Sequence, residues 1–248
     1  MPKYADPDDI AFISARYRLA PEHPFPCGPQ DCFNVTEYLF KTLVGKYDGP
    51  LKFLGGESAG AHLSILTAFR LLDNLPEHRL NGLLHFRCYD LLFTRSAPNL
   101  SRRLPLDTEL IMRFINNFLS SPFFLPQIND WPYLSALALE PRQQGDIRTH
   151  PDISPLYRDL KEYKGRLPPM LSTAGTEDPL VDDSVFIGCR MHDAGGQAVV
   201  RVCSEASHGF IVLLGDATGK NEAIEGCEWF LKTHFNPVVA FRVEARNA

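Results

Sequence analysis

The chain has 248 residues, 44% of them hydrophobic and 22% charged, with a formal net charge of −5. This composition suits one globular α/β domain able to bury a sizeable core, and it excludes a low-complexity or disordered chain. No polybasic run and no apolar stretch near the ~20 residues of a membrane span occurs, so neither nucleic acid nor a membrane span is expected.

The N-terminus reads MPKYADPDD, with three acids and two prolines where a signal peptide carries basic and apolar residues. The expected compartment is cytoplasmic. Six cysteines, at 27, 32, 88, 189, 203 and 227, form no CxxC pair and have no histidine at zinc-finger spacing. They are read as free thiols, and no metal is expected.

Segments of two periods alternate along the chain. Ile10–Arg18 is short and apolar and reads as a buried strand, followed by a proline-rich turn over Ala20–Pro26. Asp31–Leu43 has the spacing of an amphipathic helix. Leu51–Leu54 is a second strand ending in Gly55-Gly56, and Ala59–Leu72 is a strongly apolar helix. Leu80–Leu91 holds a third strand, Pro168–Ala174 is a fourth and Ala198–Cys203 a fifth. Helices follow the last two, over Asp182–Asp193 and Gly219–Thr233, with Gly195-Gly196 as the stop of the first. Strand–helix–strand alternation implies a mainly parallel sheet covered on both faces. Residues 93–150 break the rhythm with a helix at Asp107–Leu119 and the run SPFFLPQINDWPYL. The expectation is a single domain over 1–248 in which 93–150 is a cap-like insertion. Its aromatic residues suit core packing and substrate lining equally.

Gly56-Glu57-Ser58-Ala59-Gly60 is a GxSxG lying where a strand ends and a helix begins. That context places serine on a strained turn at the carboxyl edge of the sheet, with helix amides beneath it. Glycines two positions to either side are expected to let the backbone close. The five-residue pattern alone is only moderately specific; its position is what raises it. A serine nucleophile needs a base, and the base needs an orienting carboxylate. Of eight histidines, only His208 directly follows a predicted strand, in Ser207-His208-Gly209-Phe210. His62, one helical turn after Ser58, is a rival better suited to packing. Glu177, Asp178, Asp182 and Asp183 cluster after the fourth strand. Asp178 lies in the loop proper, whereas Asp182 and Asp183 are expected to act as a helix cap and a solvated acid. The order Ser58, Asp178, His208 is that of α/β-hydrolases.

Five segments together resemble the hormone-sensitive-lipase-like family of α/β-hydrolases: Tyr17-Arg18-Leu19-Ala20-Pro21-Glu22-His23-Pro24-Phe25-Pro26, the Gly56–Gly60 elbow, Ser154-Pro155-Leu156-Tyr157, Gly175–Asp183, and Ser207–Phe210. Glu57 stands where the family usually has Asp, and Arg16 where it has Asp before the tyrosine. The resemblance implies an α/β-hydrolase fold, carboxylic ester hydrolysis through an acyl-enzyme, no metal, no cofactor, and a small apolar or aromatic ester as substrate. It makes Ser58, Asp178 and His208 the catalytic residues and the Ala59 N–H an oxyanion donor. His23 is read as structural. The family's HGGG-type loop has no counterpart, since no HGG occurs. By resemblance the fold is N-terminally incomplete, lacking its first three strands and first helix, and Ile10–Arg18 must pair with Leu51–Leu54 or leave edges unpaired. If these 248 residues are the whole protein, weak turnover is therefore expected. Three other readings stay open: a shortened piece of a complete, working esterase; a non-hydrolytic binding protein, as with the plant gibberellin receptors that resemble the same family; and a cyclase or lyase on the same fold. Homo-oligomerisation is also left open.

Overall fold

A parallel sheet needs crossovers that return each strand in the same direction, and the apolar helices here supply them. The computed structural model describes residues 11–42, 51–86, 150–178, 180–212 and 219–235. Among these, β1 (Phe53–Glu57), β2 (Gly82–Phe86), β3 (Met170–Gly175) and β4 (Ala198–Cys203) form one sheet in the order β1-β2-β3-β4. Every neighbouring pair is parallel, with Leu54 opposite Leu83, Leu83 opposite Met170 and Met170 opposite Ala198. β3 is buried along its whole length, as expected of a central strand covered on both faces.

The helices divide between the two faces. α2 (Ala59–Asn74) and α3 (Val181–Asp193) cover one, where Ile65, Phe69, Leu83, Met170, Ile187 and Met191 form a single buried cluster. Phe69 stacks on Tyr163 at 5.6 Å, adding a directional aromatic contact to that burial. On the other face, α4 (Lys220–Phe235) turns Ala223, Gly226, Cys227, Phe230 and Leu231 inward, the spacing of one helical stripe. Cys227 and Phe230 meet Leu171, Leu84 and Phe53 there. α1 (Cys27–Thr42) lies outside α2, joined through Phe33, Phe40 and Leu71. The Gly195 and Gly196 amides bond His192 O and Met191 O, closing the end of α3 where the sequence places its stop.

Several sequence expectations change. Ile10–Arg18 is not a strand over its described part: residues 11–18 have no ladder partner among the described residues, and Phe12 and Ile13 stay about half exposed. An apolar run carries strand propensity, but a strand also needs an edge to pair with. β1 pairs with β2 and not with residues 11–18, so the described sheet has four strands instead of about five. β1 runs through Gly55-Gly56 to Glu57 instead of ending at Leu54, because the ladder to Leu84, His85 and Phe86 carries it on. The helix expected at Asp31 begins at Cys27, and the strand within Leu80–Leu91 spans Gly82–Phe86. The proposed helix at Asp107–Leu119 and the cap limits 93–150 lie outside the described residues, apart from His150.

Two close approaches set the loops at the carboxyl edge. A Cβ on Gly56 would lie 2.3 Å from the Gly60 carbonyl carbon, so the end of β1 presses directly on the first turn of α2. A Cβ on Gly175 would lie 1.9 Å from Ala206 O, so the end of β3 touches the chain beyond β4 backbone to backbone. At Gly60 a Cβ would meet nothing within 4 Å, so only the first glycine of the GxSxG is required by space. Gly175→Ala should therefore cost about 1–3 kcal/mol of unfolding free energy, as overpacking does. Gly60→Ala, in a helix with room, should be neutral or gain up to about 1 kcal/mol. Urea denaturation of the two variants beside the parent checks both.

The proline-rich turn is fastened to α1 by charge. Arg18 donates to Asp31 through Nε (2.8 Å), Nη2 (2.7 Å) and its backbone N–H (3.0 Å). These bonds hold the Asp31 carboxyl at about 2, below its ordinary 3.8. A group so depressed stabilises the fold above about pH 4, and that contribution disappears as pH falls toward 2. Arg18→Ala should lower the urea midpoint slightly at pH 7, with the gap to the parent narrowing between pH 4 and pH 2.5 and shrinking in high salt.

Candidate active site

β1 delivers its last residue, Glu57, to the carboxyl edge of the sheet, and α2 starts at Ala59. The single residue between them is Ser58, with φ 52° and ψ −117°. Positive φ in a residue with a Cβ costs on the order of 1–3 kcal/mol and persists only where surrounding contacts over-determine it. Here the Ser58 N–H donates to Phe86 O on β2 at 2.8 Å, and Ser58 O accepts from the His62 N–H at 3.1 Å. The turn is thus tied to the sheet on one side and to the helix on the other. Ala59 is the first residue of α2, so its amide has no acceptor within the helix and lies at the positive end of the helix dipole.

His208 stands beside this turn. Its Nε2 lies 3.0 Å from Ser58 Oγ, and its Nδ1 lies 3.2 Å from both carboxylate oxygens of Asp178. Asp178 is fully buried, and its Oδ1 also accepts the Leu180 N–H at 2.9 Å. A buried carboxylate on Nδ1 keeps a proton on that nitrogen and leaves Nε2 to accept one from the serine hydroxyl. The structure therefore brings together the three side chains that the sequence singles out, from the ends of β1, β3 and β4.

The loops after β3 and β4 are laced to each other. Thr176 N–H donates to Cys203 O at 2.9 Å, Glu177 N–H to Ala206 O at 3.0 Å, and Glu205 N–H to Thr176 Oγ1 at 2.8 Å. Thr176 lies within the Gly175–Asp183 stretch of the sequence resemblance, but nothing there marks its hydroxyl as a partner of Glu205, and nothing marks Glu205. Glu205 has φ 57° and Gly209 φ 79°, so the loop bearing His208 turns sharply on both sides of it.

The remaining histidines are engaged elsewhere. His62 is buried, with Nε2 2.6 Å from Ile153 O, which fixes the chain's return toward the sheet against α2. His85 is buried in β2, and burial pushes it down to about 3, so it stays neutral across the ordinary pH range. His192 bonds Ala198 O, His78 stacks on Phe40, His234 packs on Phe230, and His150 accepts the Asp152 N–H. His23 is exposed, and its backbone N–H donates to Leu19 O. Asp182 and Asp183 depart from expectation. The residue before α3 is Leu180, with no side-chain cap, and Asp183 is 1% exposed rather than solvated. The inward stripe of α3, which continues through Ser184 and Ile187, takes Asp183 with it. Among the described residues no group of three or more histidine, cysteine or acidic side chains is placed to hold a metal ion. No described helix is long and apolar enough to cross a membrane.

Comparison with known proteins places this geometry. The model of the α/β-hydrolase fold family matches residues 2–212. The chain is 28% identical over 242 residues to the carboxylic ester hydrolase LipN of Mycobacterium tuberculosis, covering 93% of this chain and 56% of that protein. It is 24% identical to the arylacetamide deacetylase of Oryctolagus cuniculus, over 91% of this chain and 66% of that one. The solved structure of a hormone-sensitive lipase from a metagenome library superposes with a TM-score of 0.66 at 25% identity, over 87% of this chain and 65% of that one. The chain thus spans between about half and two thirds of the length of these curated relatives. With the serine elbow, the parallel sheet and the matched family model in agreement, the chain belongs to the hormone-sensitive-lipase-like α/β-hydrolases.

Proposed function

We propose that this protein is a serine hydrolase that cleaves a carboxylic ester of a small apolar or aromatic substrate through an acyl-enzyme. The observation that carries the reading is the unbroken hydrogen-bonded line from Ser58 Oγ through His208 to the buried Asp178. Relatives named as ester hydrolases support the reaction class.

In this reading His208 Nε2 takes the hydroxyl proton as Ser58 Oγ attacks the ester carbonyl carbon. Asp178 stabilises the imidazolium that forms. The carbonyl oxygen gathers negative charge and is met by the Ala59 N–H at the N-terminus of α2. Collapse of the tetrahedral intermediate breaks the bond to the alcohol oxygen, which leaves with the proton from His208. Water then attacks the acyl-serine by the same relay and releases the carboxylic acid. No metal and no cofactor enters any of these steps. Residues 93–150 are proposed as the cover of the acyl site. The bond from His62 to Ile153 O supports that placing, because it sets residues 150–154 against the helix that follows Ser58.

Among the described residues this account names one oxyanion donor, the Ala59 N–H, and the 248 residues themselves hold no HGG sequence. Loss of a single such donor typically costs about 10²–10³ in rate. On a p-nitrophenyl butyrate-type ester, the purified chain should turn over at least that far below an enzyme with a complete oxyanion hole. Ser58→Ala should remove the whole of the turnover above the uncatalysed background. Equal rates for the parent and Ser58→Ala would overturn the hydrolase reading and favour a binding protein on the same fold.

A further inference from the structure

We infer that Thr176 is a positioning residue: its hydroxyl sets the register of the histidine loop against the acid loop and thereby aims His208 at Asp178 and Ser58. The kinetic part of this inference rests on the hydrolase reading above; the geometric part does not.

Thr176 is the first residue after β3, two positions before Asp178. Its N–H donates to Cys203 O, at the end of β4, and its Oγ1 accepts from the Glu205 N–H. One residue therefore grips both ends of the three-residue turn that starts the path to His208. The neighbouring tie, Glu177 N–H to Ala206 O, is backbone to backbone and any residue but proline at 177 would make it. The bond to Glu205 is different, because it needs a side-chain acceptor at 176.

Glu205 also requires holding. At φ 57° its Cβ is crowded against its own backbone, so the loop relaxes away from this conformation unless something retains it. The hydroxyl of Thr176 is the side-chain group bonded to the Glu205 amide. Immediately beyond, Ala206 O lies against Gly175, so there is no slack on the sheet side for a compensating shift. With the Ala206 carbonyl so held, relaxation at Glu205 would turn the chain about that fixed point and change the direction in which Ser207 and His208 leave it. The bond is solvent-accessible, so water can take over the orphaned amide and the stability cost of losing the acceptor is small. The cost to aim is larger, because proton transfer depends on the placing of the reacting groups to a fraction of an ångström.

The test uses the full chain with Thr176→Val, which keeps the shape and removes the acceptor, and Thr176→Ser, which keeps the acceptor. Three readouts are taken: the low-field proton resonance of His208 Nδ1–H, assigned by its loss in His208→Gln; kcat and KM on the butyrate ester; and the melting temperature. Thr176→Val should shift or broaden the resonance and lower kcat about tenfold with KM within about twofold, while the melting temperature moves little. Thr176→Ser should restore the resonance, and kcat to within about twofold of the parent. A parental resonance and kcat in Thr176→Val would overturn the inference. So would a large loss of melting temperature in Thr176→Val that accounts for the loss of activity and is not rescued by serine, since that marks a merely structural residue. If the parent itself lacks Ser58-dependent turnover, the hydrolase reading fails separately, and the resonance in Thr176→Val alone decides the role of Thr176.

Discussion

The contact on which the rest of the site depends is backbone against backbone: the end of β3 meeting the chain beyond β4 at Gly175 and Ala206. There is no space there for even a Cβ, so the two loops leave the sheet locked together. Parallel pairing of β3 with β4, in register from Met170 opposite Ala198 to Gly175 opposite Cys203, brings both strands to the same edge at the same height. Asp178 and His208 then need only a few residues each to meet. The carboxylate is buried at the point where the loops converge, and the imidazole spans from it to the serine.

The serine side of the site obeys a different constraint. β1 is separated from β3 by β2, and Ser58 reaches His208 because the chain reverses in one residue of positive φ. That strain is balanced by the bond to Phe86 O and by the start of α2, whose apolar length is sunk between the sheet and α1. Ser58 is thus held by the core itself. Burial of Ile65, Ala68 and Phe69 far along the helix fixes the position of its first turn. A site so built is supported by elements that have no chemistry of their own.

Much of this was legible in the sequence for a physical reason. GxSxG between an apolar strand and an apolar helix announces a turn whose conformation few other sequences need, and histidine or aspartate directly after a strand lands on the carboxyl edge. β4 occupies the range Ala198–Cys203 that its apolar pattern marks, because its boundaries coincide with changes in polarity. What escaped were features decided by partners rather than by pattern. Residues 11–18 have strand-like composition but no ladder partner among the described residues. Gly55 and Gly56 read as the end of a strand, yet both are inside β1, where close approach to Leu84 and to α2 demands small residues. Asp183 looks like a surface acid in a helix's first turn and is buried, and His62 looks like a possible base and holds a carbonyl. Thr176 falls in the resembling Gly175–Asp183 stretch, yet its bond to Glu205 is invisible in the pattern, since the partner lies 29 residues away.

The central claim is that Ser58 is a nucleophile activated by His208. Covalent labelling tests it most directly: the folded chain is treated with a fluorophosphonate, digested, and the adduct located by peptide mass spectrometry. The account predicts phosphonylation at Ser58, with loss of fluoride, and its near-complete suppression in His208→Gln. Labelling at another residue, or labelling of Ser58 at the same rate in parent and His208→Gln, would contradict it.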